Sequence, residues 1–371
     1  MARLELKAGD RLVVKVGTAS LVGPTGEPDE DRLRRLCQEI AELRQTGVQV
    51  ILVSSGAIAA GLGPLGLDSR PGDIPSLQAA AAVGQGRLLS HYSRLFEEAG
   101  LVVAQMLLTR YDFMNRQHYV NARNTLDRLL ALGVVPIVNE NDTVAVDEIR
   151  FGDNDRLAAL VGNLARARLL ALLTDAKGLH TDDPRRVPDA PILDEVVRIT
   201  PELERRAGGR GSSLGTGGMA SKIAAAWVAT FSGVGVVVAD ASESRVLTRA
   251  VRGERVGTFF HPRAKRASAR RLWIAFAQPP RGTVVVDAGA RRAMVKDKRS
   301  LLPVGVVDIS GSFESGEVVD VSDATGELFA RGLIRYGSTE LREAQGRRSA
   351  ELAGREVIHR DQLIILEGDP A

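Results

Sequence analysis

Two lysines stand where bound phosphate would need them. Lys15 interrupts the apolar run "RLVVKVG" just before a glycine turn, and Lys222 closes "GTGGMASK", a glycine cluster that runs into an alanine-rich, helix-like segment. An unpaired ammonium inside an apolar strand is costly. Lys15 therefore either snorkels to water or holds a fixed positive charge against phosphate. The glycine cluster has the look of a phosphate cradle, yet G-x-x-x-x-G-K-[ST] occurs nowhere in the chain, which excludes a P-loop. Another phosphate chemistry is required.

Three further stretches carry polar groups at spacings that suit a ligand. In "VSSGAIAAG", Ser55 and Gly56 precede an alanine-rich helical segment and offer a hydroxyl and backbone N–H groups to an anion, or simply cap the helix. "NENDTVAVDEIRFGDND", from Asn139 to Asp155, concentrates Glu140, Asp142, Asp147, Glu148, Asp153 and Asp155 among three asparagines. A solvated acidic loop is the plain alternative, and the calcium-loop spacing of an EF-hand does not fit. Asparagines mixed with carboxylates suit a substrate that has both an ammonium and a carboxylate: Asp142 accepts from the amine and Asn154 donates to the acid. Asp155 is placed to bridge two lysines. "LLTDAKGLHTDDP" ends an apolar run with Thr174 and Asp175 and turns through Gly178, as an ordinary turn or as a nucleotide contact shared with the glycine loop.

Other chemistries fall away. "GLGPLG" formally matches the dinucleotide fingerprint, but it follows a helix-like segment rather than a strand and contains Pro64. The five histidines and the single cysteine are not at metal-ligand spacing, so no metal ligands are assigned. No serine lies in a G-x-S-x-G elbow.

The elements that must position these residues follow one grammar. "RLVVKVG", "VQVILVSSG", "LVVAQMLL", "GVVPIVNEND", "RLLALLTDAKG" and "GVGVVVAD" are short apolar runs, separated by turns and segments of helical period. That pattern predicts an α/β fold with a mostly parallel sheet covered on both faces. Such sheets bind ligands beyond the carboxyl ends of their strands, which is where Lys15, Ser55, Asn139, Asp142, Thr174 and Asp175 fall. After "QPPRG" the grammar changes to short strands with turn signals, "TVVVDAGA", "VGVVDISGSF", "GEVVDVSDATGELFARGLIRY" and "HRDQLIIL", which predict a small β-barrel-like module.

Composition sets the outer bounds. The 371 residues are 44% hydrophobic and 26% charged, as in soluble globular proteins, and favour two domains. No apolar run is long enough to span a bilayer, and "MARLELKAGD" carries charges where a secretory signal would be apolar. The expectation is a cytoplasmic protein without membrane contact. Cys37 shares a helical stripe with Leu33, Leu36, Ile40 and Leu43, which predicts packing rather than reactivity. With 49 Lys and Arg against 46 Asp and Glu the net charge is only +3, but Arg263 to Arg299 holds eleven basic residues against two Asp.

Taken in order, "VVKVGTASL", "SSGAIAAG", "VGQGRL", "QMLLTRYD", "NARNTL", "PIVNENDTVA", "FGDNDRLAALVG", "LLTDAKGL" and "GTGGMASK" resemble the amino acid kinase family, in its glutamate-phosphorylating branch, over nearly the whole chain. The C-terminal part is similar to a PUA domain. The resemblance implies an αβα sandwich over residues 1–262, a basic linker over 263–279, a PUA barrel over 280–360 and a tail over 361–371. It implies transfer of phosphate from ATP to the side-chain carboxylate of L-glutamate, the first step of proline biosynthesis. Lys15 and Lys222 are then phosphate-contacting lysines organised by Asp155. Ser55, Gly56, Asn139, Asp142, Asp153 and Asn154 resemble the glutamate-binding positions. Lys15, Thr174, Asp175, Thr216, Gly217, Gly218, Met219, Ala220, Ser221 and Lys222 resemble the nucleotide contacts. Mg2+ would be held mainly through the ATP phosphates. Inhibition by proline, a homo-oligomer (dimer or tetramer), hand-over to a glutamyl phosphate reductase, and RNA binding through the PUA domain are further expectations. Competing possibilities are RNA binding or modification as the main function, and N-acetylglutamate, aspartate or carbamate as the acceptor.

Overall fold

The computed structural model describes residues 3–23, 27–144, 154–182, 187, 189–200, 203, 218–263, 280–347 and 355–366. The chain divides into two compact units, Met1–Arg266 and Ala267–Ala371. The basic linker expected over 263–279 lies, beyond Arg263, outside the described residues. Arg263 itself stacks its guanidinium 3.4 Å from the centre of the Phe231 ring.

All six apolar runs of the first unit are strands: β1 Arg11–Val16, β2 Gln49–Val53, β3 Val103–Leu108, β4 Val135–Glu140, β5 Leu169–Thr174 and, after the two-residue β6 Glu195–Val196, β7 Gly235–Asp240. With β8 Thr258–Phe260 they form an eight-stranded sheet in the order β3-β4-β2-β1-β5-β7-β8-β6. Every pairing from β3 to β7 is parallel, and β8 is antiparallel to β7. β6 and β8 escape a periodicity test because each is too short to show one.

Helices cover both faces. Helices α1 Glu30–Gln45, α3 Ile74–Glu98 and α8 Val246–Val251 share one buried cluster with Leu12, Val14, Val50, Leu52, Ile137, Ala171 and Val237. Residues of a strand alternate between faces. Val13, Lys15, Ile51, Val138 and Glu140 therefore face the other side, where α6 Asp155–Leu164 and α7 Met219–Phe231 pack together. Asp29 caps α1, accepting from Arg32 N at 3.1 Å. The stripe Leu33, Leu36, Cys37, Ile40 and Leu43 is buried as its spacing predicts. Burial pushes the Cys37 thiol up to about 12, which suits a packing residue.

Backbone contact between two helices sets the position of the Ser55 turn. Gly56 caps α2, Ala57–Leu62, with φ of 94°, a left-handed conformation that glycine adopts without a Cβ penalty. A Cβ on Gly61 would lie 1.9 Å from Ala80 O, and one on Gly84 would lie 1.8 Å from Ala57 O. α2 therefore rests directly on α3. Gly61 belongs to the "GLGPLG" match, and its role is this helix contact.

In the second unit β9 Gly282–Val286, β10 Val306–Gly311, β11 Val318–Asp323, β12 Leu328–Leu333 and β13 Leu363–Ile365 form a sheet in the order β10-β9-β11-β12-β13. Only β9 with β11 is parallel. α9 Ala288–Val295 and α10 Ser338–Ala344 help to close a core built on Val284, Phe313, Val319, Phe329, Leu341 and Val357. One expectation is corrected here. The run "HRDQLIIL" supplies the edge strand β13 as its pattern predicts, paired with β12 and with Leu363 and Ile364 buried, so the tail boundary that the resemblance implied at residue 361 falls inside the sheet. Among the described residues no helix is long and apolar enough to cross a membrane.

Candidate active site

Lys15 is the penultimate residue of β1, α6 begins on Asp155, and α7 carries Lys222 in its first turn. The three side chains meet in the interior. Lys15 Nζ lies 2.6 Å from Asp155 Oδ1, and Lys222 Nζ lies 3.2 Å from Asp155 Oδ2. Ser221 Oγ donates to Asp155 Oδ2 at 2.8 Å and also reaches Gly218 O at 2.8 Å. Asp155 is fully buried, with Lys15 3% and Lys222 5% exposed. Lys15 thus has the fixed-charge geometry rather than the snorkelling one. Among the described residues two ammonium groups face this one carboxylate, in a low-dielectric setting where the field of each on an incoming anion is strong. A buried lysine without a counter-charge is costly there, and the shared carboxylate offsets that cost for both ammonium groups.

Of the glycine cluster, Gly218 is described, at the start of α7. Gly218 is the N-cap, nothing among the described residues stands within 4 Å of where its Cβ would be, and Met219, Ala220 and Ser221 form the first turn. Backbone N–H groups of such a turn are oriented for anions. Thr216 and Gly217 lie outside the described residues, as does Asp153.

The ends of β2 and β4 make a second polar group, tied together by Asn154. Its Nδ2 donates to Ser54 O at 2.5 Å and to Asn139 Oδ1 at 2.6 Å. Asn139 Oδ1 also accepts from Glu140 N at 2.9 Å, and Asn139 Nδ2 donates to Gln85 Oε1 at 2.7 Å. Both amide hydrogens of Asn154 are therefore engaged inside the protein. The donor role expected of it toward a substrate carboxylate requires exchange of one of these acceptors. As it stands, Asn154 locks two strand ends in register.

Around this lock, polar groups have no protein partner among the described residues. Ser55 Oγ and Glu140 Oε1 are buried without a hydrogen bond. Burial, reinforced by Asp142 and opposed by Arg110, raises the Glu140 carboxyl to about 8. Burial raises Asp142 to about 6, with Arg70 pulling the other way. Orphaned groups of this kind are uncommon in native interiors. They are what a polar substrate would satisfy.

Thr174 Oγ1 donates to Asp175 Oδ1 at 3.0 Å, and both residues line a cavity of about 660 Å³ walled by α1 and by the segment after β7. This space borders Arg32, Arg35, Glu39 and Asp240. Sequence reasoning grouped Thr174 and Asp175 with the glycine loop. The structure sets them at the carboxyl end of β5, beside a cavity of ligand size.

Several contributors carried no usable sequence signal. Tyr92 sits fully buried on α3 with its hydroxyl 3.0 Å from Ser54 Oγ, and it reads in sequence as one more apolar stripe position. Gln85 supports Asn139, which no local pattern announces, and Ser221, expected as a nucleotide contact, donates to Asp155 instead of standing free. Among the described residues no group of three or more His, Cys, Asp or Glu is placed to hold a metal.

The fold and the lysine–carboxylate–lysine bridge define a phosphate-handling α/β protein. The model of the amino acid kinase family matches residues 10–240, and that of the PUA domain matches residues 282–354. The chain belongs to the amino acid kinase family. Its relatives include the glutamate 5-kinase of Citrifermentans bemidjiense, 48% identical over 368 residues that cover 97% of this chain and 99% of that protein. Those of Moorella thermoacetica and Myxococcus xanthus are 48% and 47% identical over 371 residues, covering 98% of each chain.

Proposed function

We propose that this protein transfers the γ-phosphoryl group of ATP to the side-chain carboxylate of L-glutamate, giving L-glutamyl 5-phosphate and ADP, the first step toward proline. The observation that carries this is the buried Asp155 bridge between Lys15 and Lys222. In the reaction a carboxylate oxygen forms the new P–O bond while the bond from the γ-phosphorus to the β,γ-bridging oxygen breaks, and the electron pair leaves with ADP. The nucleophile, with a free pKa of about 4.3, is already ionised at neutral pH, so no general base is needed. Catalysis then rests on in-line positioning and on stabilising the charge of the transferred group. Lys15 and Lys222 supply that charge, and Asp155 holds their ammonium groups at fixed positions.

Asp142 is suited to accept from the substrate ammonium, and Ser55 Oγ, buried and without a partner among the described residues, to donate to a carboxylate oxygen. Both oxygens of Asp155 are occupied by Lys15, Lys222 and Ser221, so it is not a free metal ligand. Mg2+ fits this site as an ion carried on the ATP phosphate oxygens and water, as is usual for it. When bound it supplies further neutralisation of the phosphate charge.

Inhibition by proline, assembly as a dimer or tetramer, hand-over to a glutamyl phosphate reductase and residence in the cytoplasm belong to the same proposal. RNA binding through the 282–354 region has less support from the described basic residues. Arg281 lies 3.4 Å from Glu317, and Arg291 pairs with Asp323 and Glu327, so these charges are already matched. The test is hydroxylamine trapping with ATP and magnesium, comparing L-glutamate, N-acetylglutamate and aspartate. Hydroxamate from glutamate alone supports the proposal. Hydroxamate from another acceptor reassigns the carboxylate pocket, and none from any acceptor overturns it.

A further inference from the structure

A second cavity lies at the opposite end of the sheet from the lysines. It measures about 370 Å³, opens to solvent, and is bounded by the turn before β1 (Gly9–Arg11), by α5 (Arg116–Ala131) and by the turn from α6 into β5 (Ala165–Arg168). Four arginines, Arg11, Arg123, Arg166 and Arg168, line it against two carboxylates, Asp10 and Asp127. The active-site residues stand at the carboxyl ends of the strands, whereas this cavity is at their amino ends.

The carboxylates do not neutralise it. Asp127 Oδ1 accepts from Arg11 Nη1 at 2.6 Å, and Arg11 is further held by Ala165 O at 2.8 Å and Gln49 Oε1 at 3.0 Å. Arg11 is therefore a fixed structural pair with Asp127. The remaining arginines are poorly matched. Arg123 Nε is 3.7 Å from Asp127 Oδ2, and Arg168 Nε is 3.6 Å from Asp10 Oδ2, which itself accepts from Lys7 N at 2.8 Å. Both separations exceed a hydrogen bond. The Arg166 guanidinium has no hydrogen-bond or ion-pair partner among the described residues.

Arg166 is also held in an unusual backbone conformation. Its φ is 50°, in the left-handed turn that ends α6, where Arg166 N donates to Asn163 O and Ala167 N to Gly162 O. Glycine or asparagine ordinarily fills such a position. Here an arginine bears the strain, and its side chain adds a cation to a wall that already carries Arg123 and Arg168.

We propose that this arginine-walled cavity at the amino ends of β1 and β5 binds a compact phosphorylated anion, of the size of a diphosphate or a small phosphate monoester, outside the catalytic site. Guanidinium groups present planar pairs of donors that match phosphate oxygens, and the cavity volume falls within the range of small-ligand sites. Arg123 and Arg166, from α5 and from the α6 turn, grip the anion from two sides, and Arg168 closes the third.

The probe is inorganic diphosphate, titrated calorimetrically into the full chain with a non-hydrolysable ATP analogue and magnesium saturating the catalytic site. The expected result is one remaining diphosphate site, weakened at least about tenfold in Arg166→Gly and again in Arg123→Gln. The glycine variant suits the left-handed turn, so loss of binding with an undiminished melting temperature reports the guanidinium and not the fold. Three results would each overturn the proposal: no diphosphate bound once the nucleotide analogue saturates, unchanged binding in both variants, or equal affinity for succinate. If Arg166 serves only the carboxyl end of α6, Arg166→Gly changes the melting temperature and leaves diphosphate binding as it was.

Discussion

Asp155 Oδ1 lies 2.6 Å from Lys15 Nζ, a fully buried carboxylate on an ammonium that is 3% exposed. The other carboxylate oxygen holds Lys222 at 3.2 Å. One side chain thus fixes two cations that come from a strand and from a distant helix. Asp155→Asn keeps the shape and removes the charge that both buried lysines face. Breaking a buried pair in this way costs about 3–5 kcal/mol, so the melting temperature should fall. The hydroxamate assay should show turnover reduced by at least about a hundredfold. Near-normal turnover in a folded Asp155→Asn protein would remove Asp155 from the mechanism.

Lys222→Ala and Lys15→Ala should act on turnover rather than on acceptor binding. A group that stabilises charge only as phosphoryl transfer proceeds lowers kcat and leaves the ground-state affinity for glutamate nearly unchanged. We expect kcat to fall by about two to three orders of magnitude, with KM for glutamate shifted by less than about tenfold. A change confined to KM would make these lysines acceptor contacts instead.

The elevated carboxyl of Asp142 predicts an acid limb in the rate profile. Burial holds it at about 6, so below that pH it is protonated and cannot accept from an ammonium as an anion. The pH dependence of kcat/KM for glutamate reports the free enzyme and should fall with an apparent pKa near 6. In Asp142→Asn that limb should vanish and KM should rise at every pH. A limb that survives the substitution must come from another group.

Glu140 makes a separate prediction about stability. Its carboxyl is raised to about 8 in the folded protein, from an ordinary value of 4.5. Between those two values the folded chain keeps a proton that the unfolded chain releases, so stability declines as pH rises through this window. The full effect is on the order of a few kcal/mol. Glu140→Gln should leave the melting temperature near that of the parent at pH 5 and exceed it at pH 8. Equal pH dependence in the two proteins would mean that Glu140 ionises freely.

Much of this molecule was legible before its coordinates. Six apolar runs became strands, since a parallel sheet covered on both faces needs continuous apolar segments and little else resembles them. Lys15, Asp155 and Lys222 also stood out, because charged groups beside apolar or glycine-rich segments need a physical reason to be there. What remained hidden was whatever depends on partners distant in the chain. The short β6 and β8 have no periodicity of their own and exist through pairing. The run "HRDQLIIL" already reads as a strand, and only its pairing with β12 shows that the sheet extends past residue 360. Nothing local marks Tyr92 as the partner of Ser54, or shows that Asn154 would turn both amide hydrogens inward.

Composition and pattern by themselves determined the sheet, the two-part organisation and the kind of charge that must face a ligand. Those properties follow from local burial and backbone propensity, which each segment carries with it. Only the tertiary structure decided that one carboxylate would serve two lysines, that Ser55 Oγ and Glu140 Oε1 would find no partner among the described residues, and that four arginines would gather at the far end of the strands. These are distances between side chains from different elements, set by how helices pack across the sheet. A single chain order contains them without displaying them.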